Sequence, residues 1–168
     1  MMVKAVKEAV KSGEIDVRAD SALNYGKVTA KKIDNSYLLR VPYASGDIHE
    51  MSGLSVNLNE DAEIFSTSET IIKETAETYE VLAYAGDESV SKTIVKDDYN
   101  NNGEISILGL DDVNDCLDDY GVSRALLAAV AAGCGFICIG TIGTGCLACY
   151  GSYLAVDGGI IAGCLLQF

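Results

Sequence analysis

The chain has 168 residues, of which 49% are hydrophobic, and this is enough for one medium or two small domains with a buried core. Its formal net charge of -13 argues against nucleic-acid binding, because no basic stripe is available to neutralise phosphates. The same charge argues against docking of the acidic part on an anionic membrane surface.

Charge and cysteine are distributed unevenly along the chain. Residues 1–120 hold 11 Lys and Arg against 24 Asp and Glu, whereas residues 121–168 hold only Arg124 and Asp157. All six cysteines lie in the last 53 residues, and 10 of the 17 glycines lie after residue 120. The sequence therefore predicts two segments of different chemistry.

The first 16 residues predict a short amphipathic helix. Val3, Val6 and Val10 recur at helical spacing with lysines between them. The stretch lacks the apolar run of about 7–15 residues that marks a secretory signal peptide.

Six segments after Gly26 predict β-strands, because they alternate or are rich in β-branched residues. The segments are "GKVTAKK", "SYLLRVPY", "GLSVNLN", "AEIFSTSETII", "ETYEVLAYA" and "SVSKTIVK". Their short polar connectors favour hairpins, so an antiparallel meander is expected. In "YEVLAYA" neither alternate face is cleanly polar, which indicates a sheet covered on both sides, by the N-terminal helix or by the C-terminal segment.

No catalytic or metal-binding motif is recognised in the acidic part. His49 is the only histidine, and the sequence places no nucleophile and acid around it, so a surface or turn histidine is predicted. The acidic stretches "NLNEDAE" and "VKDDYNNNGE" lack the spacing of a calcium loop and favour solvated turns. A non-enzymatic protein without a cofactor or metal is therefore predicted.

The polar stretch "KDDYNNNGE", residues 96–104, is the best linker in the chain and an accessible site for proteolysis. It predicts an acidic β-rich domain over residues 1–104 and a cysteine- and glycine-rich helical part over residues 105–168. In the second part, a helical stripe follows an acidic N-terminus and consists of Leu110, Val113, Cys116, Leu117 and Tyr120.

The stretch after Gly121 predicts three or four short apolar helices separated by glycines. Four interpretations of it compete. Residues 125–156 carry no charge and are long enough for one membrane span of about 20 residues, although glycines interrupt them. A zinc or iron-sulfur site would leave several thiolates without nearby cations. The "CLAC" motif has thioredoxin-like spacing but lacks a confident preceding strand.

The fourth interpretation, a disulfide framework, is favoured. The six cysteines are an even number in a short segment with little core of its own, which bridges would stabilise. They are Cys116, Cys134, Cys138, Cys146, Cys149 and Cys164. Disulfides require an oxidising compartment, so the interpretation also predicts export.

The two parts together resemble precursors of the halocin C-eight-type, or microhalocin, family of bacteriocins. The strand region is similar to the family's pro-region in a "SxLxV" strand at residues 52–56, in Glu69, and in a turn at residues 84–87. Residues 116–168 resemble its compact, glycine- and cysteine-rich mature peptide. Family precursors begin with an export signal, which is not visible here, so an N-terminal truncation or a misassigned start is expected. The type member also carries more cysteines, so its bridge pattern cannot be transferred.

The resemblance implies a secreted precursor whose C-terminal peptide is released by a processing protease and damages the membranes of competing cells. The acidic part would contact the peptide within the chain, masking it or giving immunity. The expected membrane-active surface consists of Phe136, Ile137, Ile139, Ile142 and Leu147. The expected fold class is α+β: an N-terminal antiparallel β-meander with a short helix, followed by a disulfide-linked bundle of short apolar helices.

Two other functions remain open from the sequence. One is a small membrane-anchored protein whose acidic domain binds a partner. The other is a redox protein that uses "CLAC".

Overall fold

The computed structural model describes residues 1–33, 35–44, 46–86 and 88–96. These residues form one α-helix, one 3-10 turn and six β-strands. The helix α1 spans Met2–Ser12 and the 3-10 turn spans Tyr25–Lys27. The strands are β1 (Thr29–Ile33), β2 (Ser36–Pro42), β3 (Gly53–Asn59), β4 (Ile64–Glu74), β5 (Thr78–Ala85) and β6 (Glu88–Lys96).

The six strands form one antiparallel sheet in which the spatial order equals the chain order. Each strand overlaps one of the six segments that the alternation pattern predicts. Side-chain hydrogen bonds close two of the turns. The Asn59 side chain accepts from the N–H groups of Asp61 and Glu63 at 3.1 and 2.8 Å, and Thr75 Oγ1 accepts from Thr78 N–H at 3.0 Å. Such local bonds fix the register of neighbouring strands.

Helix α1 contains three lysines, two alanines and one glutamate, which favour helix, and it ends at a glycine. Gly13 has φ 79°, a left-handed conformation that glycine adopts without a Cβ penalty, and its N–H donates to Val10 O at 3.2 Å. Val6 and Ala9, one turn apart, are buried. Val3 lies partly outside this stripe, because 37% of it is exposed.

The helix packs on one face of the sheet, here called the helix face. This face is formed by alternate residues of the central strands, which cluster with Val6, Ala9 and Ile15 of the N-terminal segment. Its core consists of Leu39, Val41, Leu54, Val56 and Leu58. Loop residues such as Leu23, Tyr25 and Ala62 pack against the same cluster.

The opposite face of the sheet is here called the second face. The register pairs Arg40 with Ser55, Ile72 with Val81, and Thr70 with Ala83, and directly opposed residues point to the same side. Its buried side chains are Leu38, Arg40, Ser55, Thr70, Ile72, Tyr79, Val81 and Ala83. The pattern in β5 thus leaves both faces of that strand at least partly covered.

The predicted α+β class with a C-terminal bundle of short helices is wrong for this structure. Its described part is an antiparallel sheet with one short helix of 11 residues, so it is mainly β. The prediction of further helices depended wholly on residues 105–168, which lie outside the described residues. The remaining connections are turns and loops that contain no second α-helix in the ranges given above.

Two valines of α1 provide a matched test of this packing. We expect Val6→Ala to lower the free energy of unfolding by about 1–3 kcal/mol, because Val6 has no exposed surface and its truncation leaves a cavity. Val3→Ala, on the same helix but partly exposed, should change it by less than about 0.5 kcal/mol. Urea denaturation followed by circular dichroism measures both. Equal losses would contradict the placement of the helix.

Candidate functional site

The residues predicted from the sequence to carry function all lie outside the described part of the chain. They are the six cysteines and the five apolar residues Phe136, Ile137, Ile139, Ile142 and Leu147. Their predicted roles, bridging and membrane contact, therefore stay predictions.

The second face is the side of the sheet that the described α-helix does not cover. Helix α1 and the loop residues packed with it lie on the helix face, and no second α-helix is present within the described ranges. Yet Ile72 and Val81 of the second face have no exposed surface. Because it is partly aliphatic and lies away from α1, the second face is the candidate interaction surface among the described elements.

The second face combines aliphatic side chains with polar ones. Leu38, Ile72 and Val81 are aliphatic, and each contributes about 1.5–3 kcal/mol when it is fully buried. Ser55 and Thr70 lie between them and are equally buried. The Ser55 hydroxyl is buried and has no hydrogen-bond partner among the described residues. The second face is therefore a mixed apolar and polar surface.

Arg40 places a buried positive charge on the second face. It lies on β2, is 2% exposed, and its Nη2 donates to the Met51 carbonyl, which is one of its partners. Gly53 lies beside the guanidinium, and a Cβ at this position would come too close to it. The strand sequence "SYLLRVPY" contains the only signal for this charge, an arginine inside an apolar run. Sequence reasoning missed it.

His49 lies at one end of the same face. Its Nδ1 accepts from Met51 N–H at 3.2 Å, and its ring meets Tyr79 edge-on with centroids 5.9 Å apart. Its Nε2 lies 3.9 Å from Glu74, which also accepts from Tyr79 Oη at 3.2 Å. His49 is thus a half-buried residue of the loop before β3, and its contacts hold the 49–52 loop against the sheet.

Glu69 is a buried carboxylate on the opposite, helix face. It is 2% exposed, and its oxygens accept from the backbone N–H of Arg18, both at 3.0 Å, and from Ala19 N–H at 3.1 Å. The Tyr43 hydroxyl also donates to it. Burial, reinforced by this bond to the carboxylate, raises the pKa of the Tyr43 phenol. The carboxylate therefore ties two loops to the sheet and has a structural role.

A groove of about 730 Å³ opens beside this carboxylate on the helix face. Ile71 and Leu82 belong to its wall, with Lys73 and Tyr84 beside them. Arg18 also lines it, but its Nη1 donates to Gly86 O at 3.0 Å and its guanidinium lies 4.5 Å from the centroid of the Tyr84 ring. Arg18, the one arginine of this wall, is therefore already engaged in contacts with Gly86 and Tyr84. The groove is for this reason a weaker candidate than the second face.

Metal-ligand clusters and membrane-spanning helices are both absent from the described ranges. They contain no group of three or more His, Cys, Asp or Glu side chains arranged to hold a metal ion. The single α-helix among them is too short to cross a bilayer.

No family model, curated protein or solved structure matches the chain. The resemblance to halocin precursors consequently rests on the sequence alone. Two of its three pro-region features fall in the sheet: residues 52–56 lie in or next to β3, and Glu69 is the buried carboxylate of β4.

The buried carboxylate yields one prediction. We expect Glu69→Gln to lower the free energy of unfolding by about 1.5–3 kcal/mol, because the amide removes the charge that its donors face. Glu77→Gln, in an exposed turn, is the matched control and should change it by less than about 0.5 kcal/mol. Thermal and urea unfolding measure both. A loss at position 69 no larger than that at position 77 would contradict the role of Glu69.

The contact between Gly53 and its neighbours yields a second prediction. A Cβ at position 53 would lie 2.7 Å from Val41 O and 3.1 Å from Pro42 Cα. We expect Gly53→Ala to cost about 1–3 kcal/mol, because strand or guanidinium must shift. Gly46→Ala, whose Cβ would lie 3.4 Å from Ser21 Oγ, should be nearly neutral. Unfolding midpoints compare the two variants, and equal stability of both would show that the second face tolerates a shift of Arg40.

Proposed function

We propose that the chain is the precursor of a secreted antimicrobial peptide, in which the acidic β-rich part masks the apolar cysteine-rich part until proteolysis. The peptide would come from residues 105–168 and act on the membranes of competing cells. The single observation that supports this best is the second face of the sheet. It is a buried surface, partly aliphatic, on the side of the sheet that α1 does not occupy.

The charge distribution supports the same proposal. Residues 121–168 carry no net charge and have a long apolar stretch, and such a peptide aggregates or inserts into membranes when it is alone. An acidic partner on the same chain keeps it soluble. Because the two parts are tethered, their effective concentration is in the millimolar range, so even a weak interface keeps the mask closed.

Release and immunity follow from the same arrangement. Cutting the chain after the sheet removes the tether, and dilution then lets a weakly held peptide leave. A β-rich part that stays in the producer can bind the peptide again through the second face. This makes one surface responsible for masking before cleavage and for immunity after it.

The six cysteines give the peptide its own stability in this proposal. A piece of about 55 residues buries too little apolar surface to fold firmly, and disulfides compensate by restricting the unfolded chain. The expected partners are a processing protease and the target membrane. Neither a cofactor nor a nucleic acid has a role.

Mass measurement of the exported chain tests the proposal. We expect reduction to add about 6 Da, two hydrogens for each of three disulfides. We also expect limited proteolysis after the sheet to turn a protein that does not release dye from phosphatidylglycerol–phosphatidylcholine vesicles into one that does. The control is a variant with all six cysteines changed to serine, which should gain no mass on reduction and yield a peptide with less activity.

Two results would overturn the proposal. Six free thiols in the exported chain would remove the disulfide framework. Extraction of the intact chain only by detergent, with no fragment released, would favour a membrane anchor instead.

A further inference from the structure

The groove on the helix face lies between two walls of different composition. One wall, here called the sheet wall, consists of side chains of β4 and β5, namely Ile71, Lys73, Leu82 and Tyr84. The other, here called the loop wall, consists of residues 18–22, 44 and 46–48. The volume of 730 Å³ lies within the range of about 300–1,000 Å³ that is typical of small-ligand sites.

Hydrogen bonds hold the two walls in a fixed relation. The buried carboxylate of Glu69 on β4 accepts from the backbone N–H groups of Arg18 and Ala19, which belong to the loop wall. The loop wall is also joined internally, because Ser21 Oγ donates to Ala44 O at 2.5 Å. The groove is therefore preformed, and a ligand that enters it loses less free energy than one that must first order its site.

The sheet wall supplies the apolar part of the groove. Ile71 and Leu82 are directly opposite each other in the register, so their side chains lie next to each other on the helix face. Ile71 is buried and Leu82 is half-buried. Together they offer an aliphatic surface on which a ligand can bury an apolar side chain.

The two walls carry free charges of opposite sign. Lys73 lies on the sheet wall, whereas Asp20 and Asp47 lie on the loop wall, and all three residues are exposed. The ion pairs among the described residues include none between Lys73 and either aspartate. A ligand in the groove therefore meets a cation on one side and carboxylates on the other.

The neighbouring charges are engaged in other contacts. Glu80 is opposite Lys73 in the register, but its carboxylate pairs with Lys92 of β6. The Arg18 guanidinium stacks on Tyr84 and lies 3.7 Å from the Glu69 carboxylate. Lys73 is consequently the cation of the groove that is available to a ligand.

We propose that the groove binds a short peptide with free termini and an apolar side chain. The peptide carboxylate pairs with Lys73, its ammonium pairs with Asp20 or Asp47, and its apolar side chain packs on Ile71 and Leu82. A ligand with a single charge would be attracted by one wall and repelled by the other, so a zwitterion fits both walls best. A free amino acid carries both charges on one carbon atom, whereas a peptide separates them and can reach both walls. This site is independent of the proposed function.

Isothermal titration calorimetry of the full-length chain with trileucine tests the carboxylate contact. We expect saturable binding, and we expect trileucine amide to bind at least about fivefold more weakly, because it lacks the charged acceptor for Lys73. Lys73→Gln should weaken trileucine binding to the same extent and should abolish the preference for trileucine over its amide. Lys11→Gln, an exposed lysine of α1, is the matched control and should leave both affinities unchanged.

The ammonium contact has its own comparison. N-acetyltrileucine lacks the positive charge and should bind more weakly than trileucine, and this difference should disappear in Asp20→Asn or in Asp47→Asn. The proposal is overturned if trileucine does not bind saturably, or if the Lys73→Gln chain prefers trileucine to its amide as strongly as the native chain does.

Nuclear magnetic resonance locates the bound peptide. In ¹H–¹⁵N correlation spectra of the full-length chain, trileucine should shift the amide signals of residues 19–22 and 46–48 on the loop wall. The signals of β1, which does not line the groove, should stay in place. Shifts confined to residues outside the two walls would overturn the proposal even if calorimetry detected binding. Neither measurement involves disulfides, export or membrane damage, so the proposed function and this site stand or fall separately.

Discussion

A sheet of six strands has two broad faces, and a helix of 11 residues covers only part of one of them. This constraint governs the rest of the molecule. On the helix face the cover is local in sequence: α1, the segment after it and the 3-10 turn all precede β1. On the second face, aliphatic side chains are buried on the side away from α1. Because exposed aliphatic surface costs free energy and promotes association, the burial of these side chains stabilises the sheet.

Each face of the sheet also carries one buried charge, and the two have different roles. Glu69 on the helix face is satisfied by groups close at hand, the backbone donors at positions 18 and 19 and the Tyr43 hydroxyl. It stabilises a defined position for two loops. Arg40 on the second face lies beside Gly53 and donates to the Met51 carbonyl, which is one of its partners. It therefore helps to fix the loop before β3 against β2.

The sheet was largely predictable from the sequence because its strands alternate regularly and its turns are short and polar. The six segments from 26–32 to 89–96 each overlap a strand, and the Val6 stripe locates the helix. The fold class was wrong because it gave equal weight to residues 105–168, whose apolar and glycine-rich composition is compatible with several structures. Composition indicates that such a segment has apolar side chains to bury, but it does not identify the surface on which they pack.

The candidate site was less predictable, for a physical reason. Arg40 and Glu69 are charged residues within strands, and alternation alone assigns such residues to the solvent side. Their burial depends on contacts that are distant in sequence. Glu69, for example, accepts hydrogen bonds from the backbone N–H groups of Arg18 and Ala19, which precede it by 51 and 50 positions. Sequence patterns report local periodicity, whereas the pairing of a buried charge is decided by tertiary neighbours. An arginine in "YLLRVP", with apolar residues on both sides, is the kind of local conflict that signals such a pairing.

The uneven distribution of charge along the chain gives the two parts of the proposed precursor different behaviour in water. Residues 1–120 hold all of the net charge, whereas residues 121–168 hold one arginine and one aspartate. Carboxylates keep the first part soluble, while the long uncharged stretch of the second part favours association or membrane insertion when it is alone. In the proposed precursor the two parts are held together by the covalent tether and by apolar contact. A single cut removes the tether, so a weak contact that suffices before cleavage no longer suffices after it.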